Sequence, residues 1–423
     1  MYWIQYIQQL RPGRRFGPQR LRTGPEQFEG CSISLARTGG TMKVKYTRDV
    51  STLDRIDPKT RETLRKVTER YAYRANDYYL GLIDWDDPAD PIRRLIVPDE
   101  RELLDFGNLD ASNEQAVTVA RGVQHKYPHT VLLLVNEVCG AYCRYCFRKR
   151  LFIDGNDETT LDVTEGIEYI RNNPQITNVL LTGGDPLLMS TRRILDIIEQ
   201  LRAIPHVGII RIGSKMPAFN PWRILDDAEL VAGLARFSTA DRRIYLMAHF
   251  DHPRELTEPA IAGIDALLRA GVVCVNQCPL IRGINDDPDV LAELFRRLSF
   301  IGCPQYYAFQ GRPTAGNEPY ELPIVEGYRI FEEAKRRVSG LAKRVRFAMS
   351  HESGKIEIVG LDDQFLYLRY HRAKNPEDEG RFMVFHRDDQ AGWLDELRPV
   401  ERLVAVDGSL DTAQEEFAEQ AFV

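Results

Sequence analysis

The chain has 423 residues, 43% of them apolar, and a formal net charge of −6. That length allows one large domain with appendages or two ordinary ones, and the mildly acidic balance argues against a nucleic-acid surface as its main business. No apolar run approaches the length of a transmembrane helix, and the seven cysteines fit a reducing compartment, the cytoplasm, better than a disulfide scaffold.

Residues 1–41 stand apart. They carry Arg11, Arg14, Arg15, Arg20, Arg22 and Arg37 against Glu26 and Glu29, with no clear period. A secretory signal needs an apolar centre that is missing here. A basic transit segment is one reading; the preferred one makes Met42 the native start. From Asp49 to about Ala120 the pattern is mostly helical, with Leu64, Val67 and Tyr71 at helical spacing and Pro58, Pro88, Pro91 and Pro98 as punctuation. Residues 1–114 are therefore read as a basic segment and a helical collar.

Residues 115–349 alternate apolar runs with amphipathic helices. The strand candidates are 131–135, 179–182, 208–212, 244–249, 272–277 and 306–310. Between them, Thr164, Ser190 and Thr257 stand as N-caps before apolar residues of 3.6-residue period, and Gly271 closes the third helix. Such alternation means parallel strands joined by right-handed crossovers. Six units predict an α/β fold, a partial (β/α)6 barrel with functional groups at the carboxyl ends of its strands.

The chemistry begins after the first strand. Cys139, Cys143 and Cys146 form a C-x3-C-x2-C pattern. Three thiolates on one loop suit a cubane iron–sulfur cluster that leaves one iron without a protein ligand. Zinc would need a fourth Cys or His, and the nearest candidates, His125 and His129, lie beyond the strand. Cys31, Cys274, Cys278 and Cys303 read as free core or loop thiols. The second strand ends in Gly183-Gly184-Asp185-Pro186, where two glycines permit close backbone approach. The third ends in Gly213-Ser214, the fourth in His249-Phe250-Asp251-His252, the fifth in Asn276-Gln277 and the sixth in Gln310-Gly311-Arg312. His252 and Asn276 read as ordinary strand-terminal caps.

The cysteine spacing and its flanking aromatics resemble the radical SAM superfamily. The segments HKYPHTVLLLVNEVCGAYCRYCFRKR, LLTGGDPLL, IPHVGIIRIGSKMP, HFDHPREL, NQCPLIRGIND and PQYYAFQ, in that order over residues 122–355, resemble more narrowly the lysine 2,3-aminomutase family. The resemblance implies a radical SAM barrel, a 4Fe-4S cluster, S-adenosyl-L-methionine and pyridoxal 5′-phosphate. It implies an isomerase that moves the α-amino group of an amino acid to the β carbon, through a 5′-deoxyadenosyl radical and an aldimine. By the same resemblance Gly183 and Gly184 hold the amino group of S-adenosylmethionine, with Asp185, Ser214, His249 and Gln277 as further cofactor contacts. Arg148 pairs with the substrate carboxylate, Lys126 contacts pyridoxal phosphate, Phe309 takes the aromatic stacking position, and Lys355, placed on an open loop, carries the aldehyde. The solvated alternative for Arg148-Lys149-Arg150 is a basic surface run.

Departures from the family set the specificity expected. Where its lysine enzymes hold the substrate ammonium with two aspartates, this chain has Arg312 and Ser350, so an acidic or neutral amino acid such as glutamate is expected rather than lysine. One of two arginines expected before the first strand is Lys126; the other is Thr130, which carries no charge. Residues 350–423 read as a small C-terminal β-containing cap with a charged turn at Asn375–Gly380 and an acidic tail from Asp407. The partners expected are a small-molecule amino acid and a flavodoxin- or ferredoxin-like reductant, with no nucleic acid and no membrane; a homo-oligomer is compatible. Two other functions remain open at this stage: a pyridoxal-independent radical SAM enzyme abstracting hydrogen elsewhere, and an iron–sulfur electron-transfer or sensor protein.

Overall fold

The structure, a computed structural model, describes residues 43–153 and 155–400. The expectations for Met42 as a start, for Cys31 and for the tail from Asp407 lie outside the described residues. Two short strands, β1 (Tyr46–Thr47) and β2 (Ala75–Asn76), pair beside helix α1 (Pro58–Arg70), which Asp57 caps by accepting the Thr60 amide at 3.0 Å. Leu64 and Val67 bury the apolar stripe of α1, as their spacing predicts.

Twelve strands then form one sheet in strict chain order: β3 (Thr118–Ala120), β4 (Val123–Tyr127), β5 (Thr130–Asn136), β6 (Asn178–Gly183), β7 (Ile209–Ser214), β8 (Ile244–Ala248), β9 (Val273–Pro279), β10 (Gln305–Phe309), β11 (Arg346–His351), β12 (Gly354–Leu361), β13 (Phe365–Ala373) and β14 (Phe382–His386). Neighbours from β5 to β11 run parallel; β3–β5 and β11–β14 run antiparallel. The near-continuous apolar run of β5 is buried on both faces, as a parallel strand covered by helices requires. The helices after the parallel strands include α2 (Thr164–Arg171), α3 (Thr191–Arg202), α4 (Ala228–Phe237), α5 (Glu258–Arg269), α6 (Pro288–Phe300) and α7 (Ile324–Arg336). On α3, Ile194, Ile197, Ile198 and Leu201 are all buried.

The six strands read from the sequence correspond to β5–β10, and the sheet stays open: β3 and β14 pair on one side only, which makes a partial barrel. A seventh parallel strand, β11, was not expected. The C-terminal β region is continuous with the sheet, since β12–β14 extend from β11. The seam between the two ends is closed by side chains. Lys126 on β4 donates to the carbonyl of His351, Arg372 on β13 reaches the Thr130 hydroxyl at 3.3 Å, and Ser112 donates to the Ser350 carbonyl at 2.9 Å.

Local capping differs in two places. Thr257 caps α5 at the Ala260 amide, and Gly271 follows at φ +76°. Thr164, however, is the first residue of α2 rather than its cap; its amide and hydroxyl both donate to Asp162. A carboxylate two residues upstream outcompetes the hydroxyl because it carries full charge where the helix dipole is positive. Ser190 occupies the N-cap of α3 but makes no side-chain cap.

Candidate active site

Because β5–β10 are parallel, their carboxyl ends lie together. They line a cavity of about 390 Å³ that also receives Ser112, Glu114, Lys126, Ser350, Lys355 and Arg372. All the sequence-derived site residues meet there: Cys139, Cys143, Cys146, Arg148, Gly183, Gly184, Asp185, Ser214, His249, Gln277 and Arg312 line the same space.

One side is built around the cysteine loop. The three cysteines are free thiols, and burial pushes each upward, Cys143 to about 12. Three half-buried thiols on one loop suit a metal centre, because the thiolate is the metal-binding form and a cation favours it. No three His, Cys, Asp or Glu side chains among the described residues surround a single ion. A cubane does not require that, because each cysteine takes a different iron. The donor set therefore fits the cluster. His125 and His129 bond to Tyr169 and to the Gln175 carbonyl, away from the thiols.

The glycines also make room for the cysteine loop. A Cβ on Gly183, at φ +106°, would meet the Asn136 carbonyl at 2.5 Å, and one on Gly184 would meet Val138 backbone at 2.6 Å. Their lost side chains are space for the chain leading to Cys139, so the turn packs directly onto the cysteine loop. Asp185 spends its carboxylate on the Ser214 hydroxyl at 2.7 Å and the Lys215 amide at 2.8 Å. Burial raises it to about 6 despite those bonds. Asp185 and Ser214 thus latch β6 to β7. His249 bonds to the Tyr145 hydroxyl at 2.9 Å and to Asp251 at 3.0 Å. Burial would raise Asp251, but His249 and Lys215 hold its carboxyl well below the usual range. Lys215 also pairs with Glu255 at 2.6 Å. Gln277 makes no side-chain hydrogen bond among the described residues and stays free toward the cavity. Asn276 bonds to Phe250 and Gln305, and His252 caps a short turn, both as the bland reading predicts.

The basic run after Cys146 is not a solvated face. Arg148, Lys149 and Arg150 are 5%, 6% and 6% exposed. Arg148 grips Glu114 through two bonds of 3.0 and 3.1 Å and donates to Thr182 and Gln124. Lys149 and the buried Arg144 both bind Glu102, and Arg150 binds Glu158 and Glu114. Glu114 also faces Arg312 at 3.6 Å, whose guanidinium lies 3.7 Å over the Phe147 ring. Burial would raise Glu114, but Arg148 and Arg312 hold it far below its ordinary value.

The opposite side is cationic. Lys355 is not on an open loop. It is the second residue of β12, paired in register with Ser350 on β11 and Arg372 on β13. Sequence reading missed the hairpin because Glu352-Ser353 lacks the usual two-residue turn signal. Its ammonium lies 4.2 Å over Tyr307 and 4.5 Å over Phe309. Burial, then Arg211, Arg312, Arg372 and Lys126, push it well below the ordinary lysine value. A lysine whose charged form the site disfavours, lying over aromatic rings, is suited to carry an aldehyde, and the surrounding cations suit a phosphate. The residues present therefore fit pyridoxal phosphate.

Glu114, Arg372, Arg211, Tyr145 and Asp251 were not singled out as site residues. Asp251 lay within a motif already noted. Glu114 and Arg372 carry no local signal, since a loop carboxylate and one arginine on a charged strand are ordinary until the fold closes.

Comparison with known proteins agrees with this geometry. Residues 133–295 match the family model of the Radical SAM superfamily. A protein of Aquifex aeolicus named "Putative L-lysine 2,3-aminomutase" is 52% identical over 355 residues, covering 84% of this chain and 95% of that protein. The L-lysine 2,3-aminomutase of Clostridium subterminale is 39% identical over 62% of each chain. The glutamate 2,3-aminomutase of Clostridioides difficile is 33% identical over 70% of this chain and 69% of its own. A barrel carrying cluster thiols at one wall and a buried lysine at the other, together with these relatives, places the chain in the lysine 2,3-aminomutase family of radical SAM enzymes.

Proposed function

We propose that this protein is a radical SAM 2,3-aminomutase acting on an amino acid with an acidic side chain, of the glutamate type. When bound, the cluster with S-adenosylmethionine supplies hydrogen-atom abstraction, and pyridoxal phosphate supplies the delocalisation that lets nitrogen migrate between neighbouring carbons.

The chain's own residues bind and orient. The observation that carries the reading is Glu114, a carboxylate already held between Arg148 and Arg312. That geometry accepts carboxylates and repels an ammonium. Charge agrees in sign: Lys126, Arg148, Arg211, Arg312 and Arg372 all line the cavity, and a wall of cations favours carboxylate and phosphate groups over an ammonium. In this reading Arg148 orients the α-carboxylate, Arg312 the side chain, and the Ser350 hydroxyl, opposite Lys355 in register, lies beside the reacting end. Tyr145, His249 and Asp251 hold the wall next to the cysteine loop rigid, and Gly183, Gly184 and Gln277, which line the same cavity, would hold S-adenosylmethionine when it is bound.

A one-electron donor of flavodoxin or ferredoxin type completes the reaction, and a homo-oligomer is compatible with it. Among the described residues no helix is long and apolar enough to cross a membrane; we place the enzyme in the cytoplasm.

The test is an anaerobic assay of reconstituted enzyme with reductant on separate acidic, neutral and basic amino acids, β-isomers being read by NMR. Glutamate or aspartate turning over fastest is expected, and Arg312→Asp should move preference toward basic amino acids. Lysine as the fastest substrate of the wild type, or an unchanged profile in Arg312→Asp, would overturn the acidic assignment. A neutral amino acid ahead of both would show that Arg312 does not pair with the side chain.

A further inference from the structure

Four basic side chains meet at the barrel seam, and none of them is ion-paired among the described residues. Lys355 and Arg372 are cross-strand neighbours on β12 and β13. Lys126 approaches from β4 and Arg211 from β7. Like charges directly opposite on adjacent strands destabilise a sheet, and burial makes the repulsion worse. Its effect is clearest on Lys355, which burial first, then Arg211, Arg312, Arg372 and Lys126, push well below the ordinary lysine value; burial chiefly, with Arg312 adding, brings Lys126 down to about 8. A fold that keeps such a cluster needs an anion there.

The placement of Arg372 is specific. Its guanidinium lies 4.3 Å over the Tyr127 ring and donates to the Thr130 hydroxyl at 3.3 Å. Thr130 is the position where the family resemblance calls for an arginine. The second guanidinium is therefore present in space although it is missing from its place in sequence: it arrives from a strand some 240 residues later. Stacking on Tyr127 holds the fork flat, and the single bond to Thr130 leaves its remaining N–H groups for a ligand.

We propose that Arg372 is a phosphate-binding residue for pyridoxal phosphate, taking over from β13 the charge that Thr130 lacks, with Lys126 and Arg211 completing the anion site. This rests on the cofactor assignment and not on which amino acid is the substrate. The placement also ties cofactor binding to closure of the seam. The arginine that holds the phosphate is the one that bridges β13 to the start of β5, so the phosphate becomes part of the contact joining the sheet's two ends.

The experiment measures dissociation constants of pyridoxal phosphate and of pyridoxal, which lacks the phosphate, by equilibrium dialysis against cluster-loaded protein. Wild type should bind the phosphorylated form far more tightly. Arg372→Leu should weaken pyridoxal phosphate about 10- to 100-fold, the size of a lost charge-assisted bond, and leave pyridoxal within about twofold. Arg372→Lys should fall between. Thr130→Arg added to Arg372→Leu should restore most of the affinity, because it returns a guanidinium to the same contact. An Arg372→Leu protein that binds pyridoxal phosphate like wild type, or that weakens both ligands equally, overturns the inference. Should the leucine variant fail to fold, the lysine variant and the double variant decide by the same ratio. A wild type that binds neither ligand sinks the cofactor assignment itself, whereas one that binds both and ignores Arg372 sinks only this proposal.

Discussion

The two walls of the cavity solve opposite electrostatic problems. Around the cysteine loop the buried cations have their partners: Arg144 and Lys149 share Glu102, and Lys215 sits between Asp251 and Glu255. Around Lys355 the cations stand unpaired. The first wall is a finished scaffold that holds three thiols and a histidine in place. The second is balanced only when anionic ligands arrive. Buried charges that lack partners are costly, so the second wall carries a cost that ligand binding removes, and that cost marks where the cofactor and substrate sit.

The largest effect should come from breaking the finished wall. Cys139→Ala, Cys143→Ala or Cys146→Ala removes one of three iron ligands. Iron content after anaerobic reconstitution should drop sharply and turnover should fall to background. A variant that keeps wild-type iron and activity would contradict the cluster site.

Next is the lysine. Lys355→Ala should lower turnover by ~100-fold or more and abolish the cofactor's visible absorbance. Because it removes a basic group that burial and neighbouring cations disfavour, the ligand-free protein should melt no lower than wild type. A marked drop in melting temperature would mean the lysine supports the fold instead.

Glu114 is the counter-case, the acid that balances arginines reaching the cavity. Glu114→Gln leaves Arg148 and Arg312 buried without their carboxylate and should destabilise by about 3 kcal/mol, as for a buried pair broken on one side. Chemical denaturation would measure it. Since this carboxyl is held below its ordinary value of 4.5, its contribution is complete above that pH and is lost on acidification toward the lower folded value.

The smallest effect is a pH dependence of the unbalanced wall. Lys126 is lowered to about 8 from 10.5. Between those values the unfolded chain binds more protons than the native one, so stability rises with pH across that window. Melting curves of ligand-free protein should show the rise, and saturating pyridoxal phosphate should flatten it. A fall in stability over the same range would refute the crowding of cations at the seam.

Much of this was legible in the order of residues. The parallel strands β5–β10 announce themselves through apolar runs divided by amphipathic helices, because burial on both faces forces that composition. The cysteine spacing and the strand-end residues follow, since parallel strands must deliver their carboxyl ends to one side. The glycine pair was also found, although its reason, contact with the backbone of Asn136 and Val138, could not be read.

What the sequence determined by itself is therefore everything local or periodic: the alternation, the thiol loop, the candidate residues at each strand end. Only the tertiary structure decided which charges face one another. The unsolvated state of Arg148–Arg150, the strand position of Lys355, and the roles of Glu114 and Arg372 all depend on partners tens to hundreds of residues away. Electrostatic energy depends on distance and burial, not on separation along the chain, so a run of arginines looks the same in sequence whether water or a buried carboxylate will meet it.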